Sequence, residues 1–215
     1  MNIVLSPNPD APQPRDHLPF KESLLLLVEG RDDQALFAAI ATLLAADEDV
    51  VDLQIRDMNG HTDWHKRMAQ IAKDEYFRKN VRAVGLVQDA DTDPVAARTR
   101  CEEALRKSEL PTSQALRTGI FIVPSALRPG AVEDLCLDSI SGTPRLDRAM
   151  EYIDGLPDAG LPQVKHRDKA VLQAYLAAKP NLCKTLWLAL RRGCFDMSHE
   201  AFADPREFLR SLIPS

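Results

Sequence analysis

Two apolar runs that each lead directly into carboxylates constrain the fold of this 215-residue chain most strongly. The first is Leu24–Val28, followed by Glu29, and the second is 84–87, followed by Gln88 and Asp89. Apolar runs of this length without alternation are typical of parallel strands that helices cover on both faces. The carboxyl ends of such strands meet at one edge of the sheet, where open α/β sheets bind their ligands. The sequence therefore predicts a crevice lined by carboxylates.

Strand and helix patterns alternate along the first two thirds of the chain. This alternation predicts an α/β fold with a mostly parallel, Rossmann-like sheet flanked by helices. The predicted strands are 24–28, 50–58, 81–88 and 119–123, and the predicted helices are 31–46, 62–79 (opened by His61 or Thr62), 95–107 and 131–137. Only helical patterns follow Thr143, at 145–153, 165–178, 182–191 and 205–212. We therefore expect a Pro-rich leader (1–20), an α/β core (21–142) and a helical C-terminal extension (143–215) packed on that core.

Composition narrows the class of protein only partly. The chain is 45% hydrophobic and contains no stretch near the roughly 18 apolar residues of a membrane span, so we expect no membrane association. The leader lacks the basic segment followed by an apolar segment that marks a signal peptide, and this favours a cytoplasmic location. The net charge of −5 neither establishes nor excludes a nucleic-acid substrate. The four cysteines fit no zinc-module spacing, and we expect them to be ordinary thiols.

The carboxylates after the two strands are the candidate functional groups. Asp33 follows Glu29 by one helical turn, and Asp91 and Asp93 follow Asp89 at alternate positions. Carboxylates at this density repel one another unless a cation lies among them, and Mg²⁺ prefers oxygen ligands. Two ordinary explanations stay open. The 89–94 stretch could be a solvated turn with a helix N-cap, and the acidic first turn after Gly30 (Asp32 above all) could serve the helix dipole.

The two acidic stretches together resemble the signature of the Toprim domain. This α/β metal-binding domain is shared by topoisomerases, primases, recombination proteins and overcoming-lysogenization-defect (OLD) nucleases. The resemblance implies that Glu29 is a metal ligand or the general acid/base at the scissile phosphate. It also implies that Asp89 and Asp91 hold Mg²⁺, or Mn²⁺ in its place, with Asp33 and Asp93 in support.

A narrower resemblance extends over most of the chain, to small stand-alone bacterial Toprim-like proteins. It is carried by 120–124, by 129–135, and by segments of the tail within 165–176 and 193–196. Glu133 and Asp134 could complete a second metal site, or they could be ordinary charges at a helix N-terminus. Lys165 and Lys169 could contact phosphates, or they could belong to a solvated basic helix face.

The expected function is metal-dependent phosphodiester hydrolysis on DNA or RNA, as in a nuclease. The alternative is a non-catalytic or regulatory Toprim-like module that acts with a partner protein such as an ATPase. A phosphatase of the haloacid-dehalogenase type is disfavoured, because its Asp-x-Asp motif normally follows the first strand. The chain has no room for the domain that carries a strand-passing tyrosine, and it lacks a primase zinc module.

Overall fold

A five-stranded, entirely parallel sheet forms the centre of the computed structural model, which describes residues 3–5, 19–46, 52–60, 64–108, 110 and 116–213. The strand order is β1-β3-β2-β4-β5. The strands are β1 (Ile3–Leu5), β2 (Leu24–Val28), β3 (Leu53–Asp57), β4 (Ala83–Asp89) and β5 (Arg117–Val123). Every pairing is parallel, so the predicted α/β class with a Rossmann-like parallel sheet is confirmed.

Helices cover both faces of this sheet. They are α1 (Arg31–Ala46), α2 (Trp64–Lys73), α3 (Glu75–Asn80), α4 (Pro94–Lys107), α5 (Val132–Ser139), α6 (Pro144–Asp154), α7 (Arg167–Ala177), α8 (Leu186–Arg191) and α9 (Ala203–Leu212). Successive side chains of a strand point to opposite faces. Leu24, Leu26 and Val28 of β2 accordingly join the hydrophobic core under α1 and α5–α9, whereas Leu25 and Leu27 join the core under α2–α4.

The helical patterns after Thr143 correspond to four observed helices, and no described residue after Val123 belongs to a strand of the sheet. Helix α9 packs closely on the sheet. A Cβ atom added to Gly85 of β4 would lie 2.6 Å from Leu212 Cδ1, and one added to Gly119 of β5 would lie 3.0 Å from Phe208 Cε2. Glycine at these two positions therefore lets the last helix approach the strands. The domain boundaries at 20 and 142 stay predictions.

Two local features differ from the sequence-based expectation. Residues Ile3–Leu5, inside the predicted leader, form an edge strand that pairs with β3. The predicted 62–79 helix is two helices, because Asp74 breaks it and accepts the backbone N–H of Phe77 as the N-cap of α3. The proposed start of that helix at His61 or Thr62, and the proposed beginning of the second predicted strand at Val50, lie outside the described residues.

Candidate functional site

The first turn of α1 directs the side chain of Asp33 back towards the end of β2. Asp33 is 3% exposed, and its Oδ2 accepts the backbone N–H of Gly30 at 3.0 Å. Its other oxygen, Oδ1, is buried and has no hydrogen-bond partner among the described residues. A buried carboxylate oxygen without a donor carries a desolvation penalty of about 1–3 kcal/mol or more. The first acidic stretch therefore holds an unsatisfied acceptor at the edge of the sheet.

A direct contact joins the second acidic stretch to the first. Asp89 is the last residue of β4, and its backbone N–H donates to Glu29 Oε2 at 3.4 Å. Strands β2 and β4 are neighbours in the sheet, so their carboxyl ends lie side by side. Asp89 Oδ1 is also buried without a hydrogen-bond partner among the described residues. The structure thus brings Glu29, Asp33 and Asp89 to one place.

Asp91 and Asp93 lie on the exposed side of the loop that follows. Asp91 adopts a left-handed backbone conformation with φ of 50°, and its N–H and C=O bond to Gly130 at 2.9 and 2.8 Å. Asp93 is the N-cap of α4, because its Oδ1 accepts the N–H groups of Val95 and Ala96, each at 3.0 Å. Asp93 therefore performs the ordinary structural role that the sequence left open for it.

Helix α5 carries the third group of acidic residues, Glu133 and Asp134, in its first turn. Glu133 is only 8% exposed and lies 3.1 Å from Lys169 Nζ through its Oε1. Asp134 instead turns to the backbone, where its Oδ2 accepts the N–H of Ala131 at 2.8 Å. Burial raises the pKa of Asp134, and this hydrogen bond lowers it in part. Of the predicted Glu133–Asp134 pair, only Glu133 faces the other carboxylates closely, and Asp134 caps its own helix.

The carboxylates interact strongly with one another. Burial raises the pKa of Asp89 to about 10, and the charges of Asp33, Glu29, Glu133 and Asp91 add to the effect in that order. Burial likewise raises the pKa of Asp33 well above its ordinary value, with further increases from Glu29, Asp32 and Glu133. Without a cation, Asp89 therefore retains its proton at neutral pH.

Lys169 is the basic side chain of the C-terminal extension that reaches this cluster. It belongs to α7, its side chain is 62% exposed, and the charge of Glu133 is the main cause that raises its pKa. Asp89 and Asp32 contribute in the same direction. Lys165 lies in the exposed segment before α7 and makes no ion pair within the described part of the chain. The structure thus distinguishes Lys169, which pairs with Glu133, from Lys165, although the sequence predicted the same phosphate-contact role for both.

Asp32, in the first turn of α1, is a further acidic residue beside the cluster. The sequence analysis assigned it to the helix dipole, yet burial and then the charge of Glu133 raise its pKa, and Lys169 acts in the opposite direction. The backbone N–H of Trp187, in the first turn of α8, also lowers this pKa. The sequence places Asp32 in an acidic pair three residues after Glu29, which is a signal for this position. The groups that act on its carboxylate, however, belong to helices distant in the sequence and could not be predicted from that pair.

The donor set fits a hard divalent cation in its chemistry. All candidate ligands are carboxylates, and two buried oxygens, Asp33 Oδ1 and Asp89 Oδ1, lack a hydrogen-bond partner within the described part of the chain. Among the described residues, however, no three His, Cys, Asp or Glu side chains are already grouped as a metal-binding set. Any ion bound here would therefore require the carboxylates to draw closer together.

The fold and this acidic edge define an α/β protein with a parallel sheet and a carboxylate-lined crevice. A family model described as "Protein of unknown function (DUF3226)" matches residues 23–214, so the chain belongs to that family. The match includes the helices after Thr143 as well as the strands that carry the site.

The C-terminal region of the Burkholderia pseudomallei OLD protein is a similar solved structure, at 13% identity and a TM-score of 0.48. The alignment covers 90% of this chain and 99% of that one. No curated protein matches the sequence. No helix in the described part of the chain has the length and apolar character needed to cross a bilayer.

Proposed function

We propose that this protein is a Mg²⁺- or Mn²⁺-dependent phosphodiesterase of the nuclease type that acts on DNA or RNA. The observation that carries the proposal is the buried carboxylate cluster, in which Asp33 Oδ1 and Asp89 Oδ1 have no hydrogen-bond partner among the described residues. The Toprim-like order of the motifs, with Glu29 after one strand and Asp89 and Asp91 after a later one, supports the same class of chemistry.

The electrostatics of the cluster support a cation as the partner of these carboxylates. With a pKa of about 10, Asp89 is protonated at neutral pH as long as no cation is present. Burying several ionised carboxylates together costs free energy, which the cluster can offset either by keeping protons or by binding a cation. Lys169 supplies one positive charge, at the Glu133 side. On the other side, burial and neighbouring carboxylates dominate the pKa values of Asp33 and Asp89, and a cation would offset both effects.

Glu29, Asp89 and Asp91 would hold the metal, with Asp33 and Glu133 as the next nearest donors. Asp93 and Asp134 are weaker candidates, because backbone N–H groups already occupy their carboxylates. A bound divalent cation would supply an activated water and neutralise charge on the phosphoryl oxygens. The chain's own residues would do the remaining work.

Two side chains are suited to proton transfer and charge stabilisation. Glu29 faces the backbone of Asp89 and can accept a proton from the attacking water or return one to the leaving oxygen. Lys169 Nζ, which is exposed towards solvent while it pairs with Glu133, can donate to a phosphate oxygen. Positive charge aimed at a developing oxyanion stabilises the transition state more than the ground state.

The proposal is tested by incubating the purified protein with plasmid, single-stranded DNA and RNA in Mg²⁺, Mn²⁺ or EDTA. We expect cleavage with either metal and none with EDTA. Glu29→Gln and Asp89→Asn should each lower the rate about 100-fold or more, since each removes a charge at the site. Glu103→Gln is the matched control: Glu103 is exposed on α4 and pairs with Lys107 on the same helix, so the rate should not change.

Calorimetric titration with Mn²⁺ separates the outcomes. Cleavage that survives both Glu29→Gln and Asp89→Asn would contradict the assigned site. Metal binding without cleavage of any substrate would favour the alternative, a regulatory module that acts with a partner such as an ATPase. The Lys169–Glu133 ion pair favours that alternative in one respect, because it neutralises part of the cluster without a metal.

A further inference from the structure

Two cysteines of the C-terminal region lie in contact with each other. Cys183 Sγ and Cys194 Sγ are 3.4 Å apart, although ten residues separate them in the sequence. Cys183 precedes α8 and Cys194 follows it, so the two residues flank this helix in the sequence. A disulfide bond is about 2.0 Å long, so the sulfurs would need to approach by about 1.4 Å to form one.

Backbone and side-chain hydrogen bonds hold Cys194 in this arrangement. Gly193 has φ of +66°, which reverses the chain after α8, and the N–H of Cys194 donates to Ala189 O at 3.0 Å. Lys179 Nζ, from the segment between α7 and α8, donates to Cys194 O at 2.8 Å. The main chain of Cys194 is therefore fixed from two directions, with its sulfur in contact with that of Cys183.

We propose that Cys183 and Cys194 are an oxidation site, at which a hydroperoxide converts the two thiols into an intramolecular disulfide. The Cys194 thiolate attacks the O–O bond, which breaks to release water (or an alcohol) and leaves a sulfenic acid on Cys194. The Cys183 thiolate then attacks that sulfur, forms the S–S bond and releases a second water. The peroxide accepts the two electrons that the thiols lose.

Accessibility favours this order of events. Cys194 is half-buried and Cys183 is buried, so the oxidant reaches Cys194 first. Burial, and then the contact with Cys183, raises the pKa of the Cys194 thiol, whereas Lys179 lowers it. Because the thiolate is the nucleophile, we expect the oxidation rate to rise with pH across the neutral range.

The other two cysteines are matched controls within the same chain. Cys101 and Cys136 are both buried, and Cys101 Sγ lies 3.2 Å from Gln88 Oε1 on the opposite face of the sheet. Burial raises the pKa of Cys101 to about 12, so this thiol stays protonated and unreactive at neutral pH. Neither cysteine contacts a second thiol among the described residues.

The disulfide would fasten the two ends of α8. This helix packs against α1, and its Trp187 backbone N–H lies near the Asp32 carboxylate at the edge of the acidic cluster. Oxidation would therefore restrict the part of the C-terminal extension that supports Asp32. The inference rests on the two sulfurs alone, and it stands whether or not the protein cleaves nucleic acid.

The test treats the full-length reduced protein with hydrogen peroxide, blocks the remaining thiols with N-ethylmaleimide and maps tryptic peptides by mass spectrometry. Trypsin separates Cys183 (170–184) from Cys194 (193–206), so a cross-linked pair identifies the bond directly. We expect two of the four thiols to be lost, a gain of about 5 °C in Tm, and slower hydrogen exchange across 185–194. Dithiothreitol should reverse all three changes.

Serine variants sharpen the result. Cys183→Ser and Cys194→Ser should each abolish the cross-link and the rise in Tm, whereas Cys101→Ser should leave both intact. A cross-link between other cysteines, or four alkylated thiols after peroxide treatment, would overturn the proposal. Conversion of Cys194 to sulfinic acid without a cross-link would also overturn it. The wild-type peptide map decides between these outcomes by itself, so the test does not depend on the folding of any variant.

Discussion

The two acidic stretches, 29–33 and 89–93, look equivalent in sequence but use their carboxylates differently. In the first, Asp33 is buried and leaves one oxygen without a partner among the described residues. In the second, Asp89 is half-buried and also leaves one buried oxygen without a partner among the described residues, whereas Asp91 and Asp93 are exposed, and Asp93 is the N-cap of α4. Alternating aspartates thus divide between a buried cluster and a helix terminus. Burial without a donor, more than the number of carboxylates, distinguishes the members of the cluster.

The sharpest test of this comparison exchanges Asp33 and Asp93 in turn for asparagine. Asp33→Asn removes a buried charge beside Glu29 and should lower metal-dependent cleavage and Mn²⁺ affinity about 100-fold. Asp93→Asn keeps a capping side chain and should change the cleavage rate less than about threefold. Rates on a single substrate and Mn²⁺ titrations measure both effects. Equal losses in the two variants would show that burial does not separate the two aspartates.

A second test separates the lysines of the C-terminal extension. Lys169→Gln removes the cation beside Glu133 and should lower the cleavage rate about tenfold, mainly through kcat, because the charge acts on the transition state. Lys165→Gln is the matched control and should have little effect, since Lys165 is exposed and outside the cluster. Steady-state kinetics of the two variants provide the measurement. A larger loss with Lys165→Gln would contradict the structural distinction.

The raised pKa values predict an unusual dependence of stability on pH. Asp89 keeps its proton in the folded state up to pH about 10 but loses it near pH 4 when unfolded. The folded state therefore binds more protons across this window, and the free energy of unfolding falls as pH rises. We expect the Tm in EDTA to decrease from pH 5 to pH 9, and Asp89→Asn to flatten the decrease. Mn²⁺ should raise the Tm more at pH 8 than at pH 5, and equal shifts would speak against a cation at Asp89.

The smallest expected effect concerns stability, through the N-cap that Asp93 of the second acidic stretch provides for α4. Asp93→Ala removes the acceptor for the N–H groups of Val95 and Ala96 and should lower the free energy of unfolding by about 1 kcal/mol. Asp93→Asn should restore most of this loss, because asparagine also caps helices. Urea unfolding of the three proteins measures the difference. If Asp93→Asn were destabilised while Asp93→Ala had the stability of the wild type, the carboxylate would have a role other than capping α4.

Much of the fold was predictable because its signals are local. The run Leu24–Val28 and the 3.6-residue pattern of α1 each identify an element from its own residues, and both were predicted with the bounds that the structure shows. Asp74 was a local signal that the sequence analysis overlooked, since an aspartate before Glu75 can end one helix and cap the next. Strand β1 has only three residues, too few for a pattern to develop.

The missing parts of the candidate site depend on tertiary packing. Glu29 and Asp89 could be paired from sequence because their strands are neighbours in a parallel sheet. Lys169 reaches Glu133 only because α7 packs against α5, and Asp32 meets Trp187 only because α8 packs against α1. These contacts join positions more than 30 residues apart, and no periodicity in either segment specifies them. The same tertiary packing explains why Glu133 faces the cluster and why Lys169, but not Lys165, pairs with it.

Gly85 lies on the strand that carries Asp89 and packs against the last helix of the chain. Gly85 lies under Leu212 of α9, and Asp89 stands four residues further along the same strand. A side chain at position 85 would meet the side-chain ends of Leu212 and Leu26, each 2.6 Å from the added Cβ, so these two side chains would have to move. The last helix of the chain therefore packs on the same strand that ends in Asp89, so the C-terminus covers the strand that carries part of the acidic site.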